Sequence, residues 1–573
     1  MPSARKLAGL AILGVALLAA CAPSVPARGP GSGSTSGGTV TREQKTLTIA
    51  AKRELKSFAR FTGAAAGGGS PGAGNNSIAK IAHNYLAVRD GSSEEFHPQL
   101  ALALPSVEDG TWVVNGDGTM DTTWRLRSGV SWHDGTPFTA DDLVFGLRLF
   151  SDTEFPVPPT EHVRQMQSAT APDPTTFVIH WASLAATGAD PTDVDPLPKH
   201  LLGALYQTDK MAILTTPLLT SQFVGLGPFR VVDWTEGVGV TFERFDDYYL
   251  GRAPIDRVIV RYVADANAML AGVLAGAVDV VLSPSVELDT AAELKQRWEG
   301  TGNRVLTSLS GSQQFLRPQF RTELAQPHNG SPNLTVRRAL LHAIDRVAVA
   351  EASSNGLAPP ADSWFAPSSP LRPEVESSIP QYPYDLARAR QLLADAGWAP
   401  GPDGVLVDGA SGERFESRIA GRPATGADRT LAVVADGWKP LGIDVGIEIL
   451  SPAAAADRKT MGSEPLALLS SFPASPTMLP PMHSSLLASD ANRWTGTNFQ
   501  GYSNPRVDAL IDRVNATIDP RDQIPLHRQL IQEAMNDVAL MPLYWEVAPT
   551  LIAKGVSGVV ADNTWNIFEW DKG

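Results

Sequence analysis

Three observations predict an α/β fold. First, Gly225–Leu282 contains two period-2 segments, Phe229–Asp233 and Val238–Arg244, then a third strand at Arg257–Val263. A helix follows at Asn267–Ala275, with Met269, Leu270 and Leu274 on one side, and Ala277–Leu282 closes the stretch as a strand. Period 2 giving way to period 3.6 within so few residues marks a mixed unit. Second, short apolar strands and capped helices keep alternating to the C-terminus. Third, the chain has 573 residues, 43% hydrophobic and 19% charged, enough to bury a core that divides into several domains. No internal repeat and no second, unrelated domain is found.

The N-terminus reads as an export signal. Arg5 and Lys6 precede an uninterrupted apolar and small run, Leu7–Ala20, and Leu18-Ala19-Ala20-Cys21 follows. A basic start, a short apolar core and small residues before a cut define such a signal, and the run is shorter than the roughly 20 residues a span requires. Leu-Ala-Ala-Cys resembles the bacterial lipobox. Residues 1–20 are therefore expected to be removed and Cys21, the only cysteine, to carry a lipid. Each buried CH₂ of an acyl chain contributes about 0.8 kcal/mol to anchoring. Ala22 to Glu43 is rich in Pro, Gly, Ser and Thr, so residues 21–44 are expected to form a flexible tether. The protein would then sit outside the cytoplasmic membrane, on its outer, periplasmic-side face. With the thiol acylated, no disulfide forms and the core must supply the stability.

Lys45–Ala51 alternates Leu47, Ile49 and Ala51 with polar residues, as a half-buried strand does. A glycine-rich loop over 63–74 leads to a helix expected over Ser77–Val88, capped by Asn75 or Asn76. In that loop Gly67, Gly69 and Gly72 satisfy G-x-G-x-x-G, with Asp90 farther on. Pro71 interrupts the backbone cradle, and an exported protein meets little NAD, so a loop is the better reading. In Trp124–Phe145, a strand-like run over Arg125, Arg127 and Val130 meets a turn, His133-Asp134-Gly135-Thr136. Thr139 and Asp142 then open a helix carrying Leu143, Phe145 and Leu149. His133-Asp134 has the look of a catalytic pair. The turn explains it better, with Asp134 bonding backbone N–H groups and Gly135 taking an unusual φ. Asp152–Thr220 is proline-rich and irregular, with one strand at Thr175–Trp181.

Leu306–Phe320 opens the second large region. A helix is expected over Asn333–Val349, another from Leu386 to Ala396 capped by Asp385 and ended by Gly397, and a third after Asn504-Pro505. Pro525–Val538 reads as a helix, Leu540–Val547 and Thr550–Ala553 as strands, and the C-terminus as an exposed tail.

Several of these stretches resemble the extracellular solute-binding proteins of family 5, the peptide/nickel class of ABC-transporter receptors. Trp124–Phe145 is similar to that family's W-x-L-R-x-G-V-x-[FW]-H-D-G-T-P signature and its continuation. Gly225–Phe229, Asp247–Tyr249 and Ala275–Asp279 resemble its G-x-G-P-[YF], D-Y-[YW] and A-G-x-V-D elements. Val336–Arg346 and Tyr384–Trp398 resemble two of its helices. The resemblance covers about Thr46–Gly558. It implies two α/β lobes joined by crossing strands, with a smaller inserted domain. Lobe I would be 46–77, 203–290 and 540–573, the insert 78–202 and lobe II 291–539. It further implies a small ligand, such as a peptide or a related solute, held in a cleft that closes by hinge motion, and delivery by a monomer to an ABC permease and its ATPase subunits. Where the family lines its cleft, this chain offers Tyr85, Gln314, Phe315, Trp364, Phe472 and Tyr502 as ligand-binding candidates. Peptide-binding members pair the ligand's amino group with an aspartate in a loop matching Leu469–Ser485, which here contains no Asp or Glu.

Other chemistry is not signalled. The ten histidines are scattered, with no H-E-x-x-H, and no phosphate-binding P-loop occurs. No catalytic residue, metal or cofactor is expected. A net charge of −14 argues against a nucleic-acid partner. The 61 acidic residues offer many chance carboxylate pairs and none distinctive, so a secreted hydrolase is the weaker alternative. A cell-envelope sensor or assembly factor reusing the fold is the stronger one.

Overall fold

Ten strands form one sheet that runs through the molecule. The structure, a computed structural model, describes residues 44–573 except 61–75, 91–94, 156–159, 425, 474–478 and 562. The expected export signal, Cys21, the tether and the Gly67–Gly72 pattern lie outside the described residues. The sheet strands are β1 (Thr46–Ala51), β2 (Phe229–Thr235), β3 (Gly239–Arg244), β4 (Arg257–Tyr262), β5 (Val280–Val281), β6 (Arg304–Pro318), β7 (Glu416–Gly421), β8 (Asp444–Ile449), β9 (Ala467–Pro473) and β10 (Met541–Ile552). Their order is β8-β7-β9-β6-β10-β5-β1-β4-β3-β2.

The long antiparallel pair β6 and β10 organises the rest. Arg304–Leu309 lies opposite Val547–Ile552 and Gln313–Leu316 opposite Met541–Trp545, with the register shifting between Leu309 and Gln313. β5 meets β10 only at Leu551 and Ile552, at one end of the pair. β9 pairs with Ser312–Pro318, at the other. The sheet is thus two half-sheets hung from opposite ends of one ribbon. Parallel pairs (β1 with β4 and β5, β7 with β8 and β9) occur within each half, where helices cover the faces.

Each half has core on both faces. Leu47, Ile49, Phe242 and Val260 pack on one face of the first half, Ala50, Met269, Val281 and Trp298 on the other. In the second half, Leu316, Ile419, Leu431 and Trp438 pack on one face, and Phe315, Phe365, Leu530 and Ile531 on the other. A separate cluster built on Trp124, Trp132, Leu143, Phe177 and Trp181 surrounds a four-stranded antiparallel sheet (112–114, 120–125, 176–181 and 166–173).

The signature turns dock on one another. The His133 backbone N–H donates to the Gly225 carbonyl at 3.0 Å. Its Nδ1 accepts from the Gly225 N–H at 3.1 Å, and its Nε2 donates to the Gly227 carbonyl at 2.9 Å. This pairing fixes the neutral Nε2–H tautomer. Asp134 accepts from the Thr136 N–H at 3.0 Å and lies 2.8 Å from His200 Nε2, while Gly135 takes φ +86°. The pair therefore shapes a turn. The first arginine of Val336-Arg337-Arg338 is buried, donates to the Asp537, Ser331 and Pro332 carbonyls, and stacks 4.5 Å over Phe320. Its target at Asp537 is the end of helix Pro520–Asn536, where a cation is favoured.

Several elements depart from expectation, for local and for tertiary reasons. The helix expected over 333–349 is two, Leu334–His342 and Arg346–Ser354, because Asp345 accepts from the Val347 and Ala348 N–H groups and starts a new one. The helix expected over 77–88 spans Asn76–Ala82. Beyond it, His83 meets Asp195 at 3.2 Å and Asn84 donates to Tyr248 and Tyr249, contacts that pull the chain off the helical path. The helix expected from Pro525 begins at Pro520, capped by Asp519, and carries Pro525 inside it. β10 is continuous where two strands were expected. The C-terminal tail is docked: Ile567 and Trp570 are buried in the core under β1, Asp571–Lys572 pairs with Val556–Ser557, and Lys572 Nζ bonds Asp279 at 2.9 Å and the Thr46 carbonyl at 3.1 Å.

Candidate ligand cavity

The second half-sheet presents the groups of a binding site. Strands β9, β6 and β10 lie side by side, with β7 beyond β9. Together they carry a cavity of about 490 Å³, a size that suits a small solute. β6 contributes Gln314 and Arg317, β9 Leu468–Phe472 and β10 Tyr544 and Glu546; Arg422–Ala424 and Ala427 follow β7, and Pro481, Thr497 and Phe499 complete the wall. Every lining residue falls between positions 314 and 546.

The wall is apolar with a few charged groups. Gln314 Nε2 donates to the Glu546 carboxylate. Glu546 is the cavity's only acid among the described residues. Arg317 Nη1 donates to the Thr497 carbonyl at 2.8 Å, and its guanidinium lies 5.3 Å from the Phe315 ring centroid and 5.6 Å from that of Phe499. Arg317 Nε is buried without a hydrogen-bond partner among the described residues. Burial, and then the positive charge of Arg422, pull the Arg317 guanidinium down to about 10. Arg422 bonds the Met461 thioether at 3.0 and 3.2 Å. No described carboxylate is within ion-pairing distance of either arginine. Burial pushes the Tyr544 hydroxyl up, and it lies 3.4 Å from Thr430 Oγ1.

Of the residues singled out from sequence, Gln314 and Phe472 line this cavity. Phe315 and Tyr502 line a void of about 20 Å³ that shares Arg317 and Pro481 with it. The Tyr502 hydroxyl donates to Asp537 at 2.9 Å, and burial followed by that carboxylate's charge raises its pKa. Trp364 is buried beside Phe365 and does not line the cavity. Tyr85 is also buried elsewhere, with the Arg60 guanidinium 3.5 Å over its ring and its pKa pushed up to about 12 by burial. Sequence reasoning missed Arg317, Arg422 and Glu546. A signal existed for two of them: Arg317 is the one charge in Gln313–Pro318, and Glu546 the one charge in Met541–Ala553. A lone charge in an apolar strand asks for a reason. Among the described residues, no cluster of His, Cys, Asp or Glu could hold a metal ion.

Residues 95–493 match the model for bacterial extracellular solute-binding proteins, family 5 Middle. The oligopeptide-binding protein AppA of Bacillus subtilis is 25% identical over 440 residues, covering 75% of this chain and 76% of AppA. Heme-binding protein A of Haemophilus influenzae is 28% identical over 357 residues, covering 59% of this chain and 60% of that relative. Among solved structures, AppA with a nonapeptide superposes with a TM-score of 0.64 at 20% identity, over 92% of this chain and 99% of that one. NikZ from Campylobacter jejuni with Ni(L-His) does so with a TM-score of 0.67 at 20% identity, over 92% and 99%.

Proposed function

The chain belongs to the bacterial extracellular solute-binding proteins of family 5, and from that premise we propose that it captures a small solute, a peptide or a related compound, in the cavity on β6, β9 and β10 and delivers it to the permease of an ABC importer. The observation that carries this reading is the cavity itself: about 490 Å³, with an apolar wall interrupted by Gln314, Arg317, Arg422 and Glu546 and by the hydroxyl-bearing Ser470, Ser471, Thr497 and Tyr544. Such a wall supplies affinity through apolar contact and specificity through few placed groups. Gln314 and Phe472 are the residues we assign to ligand contact, with Phe315 and Tyr502 supporting them from behind. The first half-sheet would close over the ligand by a hinge in β6 and β10, with lobe I at 46–77, 203–290 and 540–573, the insert at 78–202 and lobe II at 291–539. Relatives bind ligands as different as a nonapeptide and Ni(L-His), so the fold alone does not select one. The role is binding rather than catalysis. We also propose that the protein is exported and works as a monomer, held on the outer face of the cytoplasmic membrane by a lipid on Cys21.

The test is native mass spectrometry of the chain from Ala22, purified without denaturant. The expected result is a one-to-one complex whose small molecule is released and identified. A protein that stays empty, and shows no thermal shift across a solute library, would turn the argument toward a non-transport role.

A further inference from the structure

We propose that Arg321 and Trp494 are positioning residues of the receptor, which hold the loop Ala488–Phe499 in a strained shape and so preset one wall of the cavity before any solute arrives. The inference rests on the solute-receptor reading and deepens it. The loop carries Thr497 and Phe499 to the cavity. Just before them, Arg493 and Trp494 both have positive φ, +53° and +58°. One non-glycine residue in that region is uncommon and a bulky one is an outlier, so two in succession need surroundings that keep them there. Strain held in this way points to a functional constraint.

The surroundings are built for it. Trp494 is 8% exposed, and its ring faces the Arg321 guanidinium at 5.3 Å and Lys459 Nζ at 5.9 Å, where the ring quadrupole attracts both cations. Its Nε1 donates to Asp490 at 2.9 Å, and Asp490 also accepts from Lys459 at 2.9 Å. The ring lies so close to the helix Arg458–Gly462 that a Cβ on Gly462 would come 2.3 Å from it. Arg321 then closes the loop. One guanidinium nitrogen donates to the Ala488 carbonyl at 2.6 Å and the other to the Phe499 carbonyl, so a single planar fork staples both ends. Arg321 lies three residues beyond β6, the strand that brings Gln314 and Arg317 to the same cavity. The two arms of the loop are also tied to each other: the Asn498 N–H donates to the Leu486 carbonyl at 2.9 Å and the Ala488 N–H to the Asn498 carbonyl at 3.1 Å. Neither Arg321 nor Trp494 lines the cavity, so both act through Thr497 and Phe499. A wall ordered in advance spares the solute the entropy of ordering it, which raises affinity without adding a contact.

The experiment is hydrogen exchange read by mass spectrometry on the chain from Ala22, comparing the parent protein with Trp494→Ala, Trp494→Phe and Arg321→Lys. Amides of Leu486–Gln500 should exchange slowly in the parent. Trp494→Ala should speed their exchange by about thirtyfold or more, through loss of the cation contacts and the hydrogen bond together, and leave Met541–Ile552 of β10 unchanged. Trp494→Phe keeps a ring between the two cations and should stay within about fivefold of the parent, the effect of one lost hydrogen bond. Arg321→Lys keeps the charge and loses the fork, so it should loosen the loop with the Trp494 ring still present. The fraction of protein that carries a co-purified small molecule, counted by native mass spectrometry, should fall in Trp494→Ala and recover in Trp494→Phe. Exchange in Trp494→Ala equal to that of the parent overturns the proposal. So does exchange raised equally in β10, which would make Trp494 a general stabiliser of the fold, and so does a Trp494→Phe loop as fast as that of Trp494→Ala. An unchanged carried fraction on a loosened loop would also overturn it, because the wall would then not seat the solute. A parent protein that carries nothing counts against the receptor reading alone, and the exchange pattern still decides whether Arg321 and Trp494 hold the loop.

Discussion

His527 is buried among Phe365 and its neighbours with neither ring nitrogen hydrogen-bonded, and burial pulls its pKa from 6.5 down to about 4. His133 is likewise pulled down to about 4 by burial, with its Nδ1 occupied by the Gly225 N–H. A histidine with a folded pKa below its unfolded one binds fewer protons folded than unfolded between the two values. Stability from both groups is therefore complete above about pH 6.5 and is lost as pH falls toward about 4. For His527 the difference corresponds to about 3 kcal/mol. His527→Leu should flatten the fall in stability between pH 7 and 4, read as a smaller change in urea midpoint than in the parent protein. A parallel fall in both proteins would show that His527 contributes nothing to acid sensitivity.

At the scale of elements, the G-x-G turn at Gly225–Gly227 is held by a close approach. A Cβ on Gly225 would lie 2.0 Å from the Ala82 carbonyl oxygen, and one on Gly227 2.4 Å from the Ala82 carbonyl carbon. Gly225→Ala should destabilise the protein by about 3 kcal/mol through overpacking against backbone that cannot yield, measured by urea denaturation. A midpoint equal to that of the parent would mean the turn and the helix end can separate freely. The same elements show what the sequence makes legible. Strands and capped helices could be read because Asp385, Asn504 and the alternations at Leu47–Ala51 act locally. The end of helix Asn76–Ala82 could not, because partners far along the chain, such as Asp195 and Tyr248, decide where it stops, whereas the cap at Asp345 is as local as that at Asp385 and was overlooked. For the cavity, Gln314 and Phe472 were placed by resemblance to relatives. Arg317, Arg422 and Glu546 come together only when β7, β6 and β10 assemble from positions more than 200 residues apart at the extremes. Trp364 and Tyr85 show the converse: an aromatic residue near an expected wall packs equally well into core.

For the whole molecule, the register shift in β6 is where the proposed hinge is placed. Leu309 and Gln313 are paired with β10, while the residues between them are not, and Gly311 there has φ +72° with open space around it. Gly311→Val places a β-branched residue in a conformation it rarely adopts, with no clash to complicate the reading. Small-angle scattering should show the parent protein contracting when it binds ligand, and Gly311→Val contracting less. Equal contraction would move the hinge elsewhere. The docked C-terminal tail has a consequence of its own. Lys45 and Asp571 form an ion pair at 2.6 Å, and Lys572 bonds the carbonyl of Thr46, so the two ends of the described domain meet at one seam. Chain order and spatial order are therefore separable here. A circular permutant that joins Gly573 to Gln44 through a short linker and opens at the exposed turn Pro402–Gly404 would keep every strand neighbour, and would leave that seam free of chain ends.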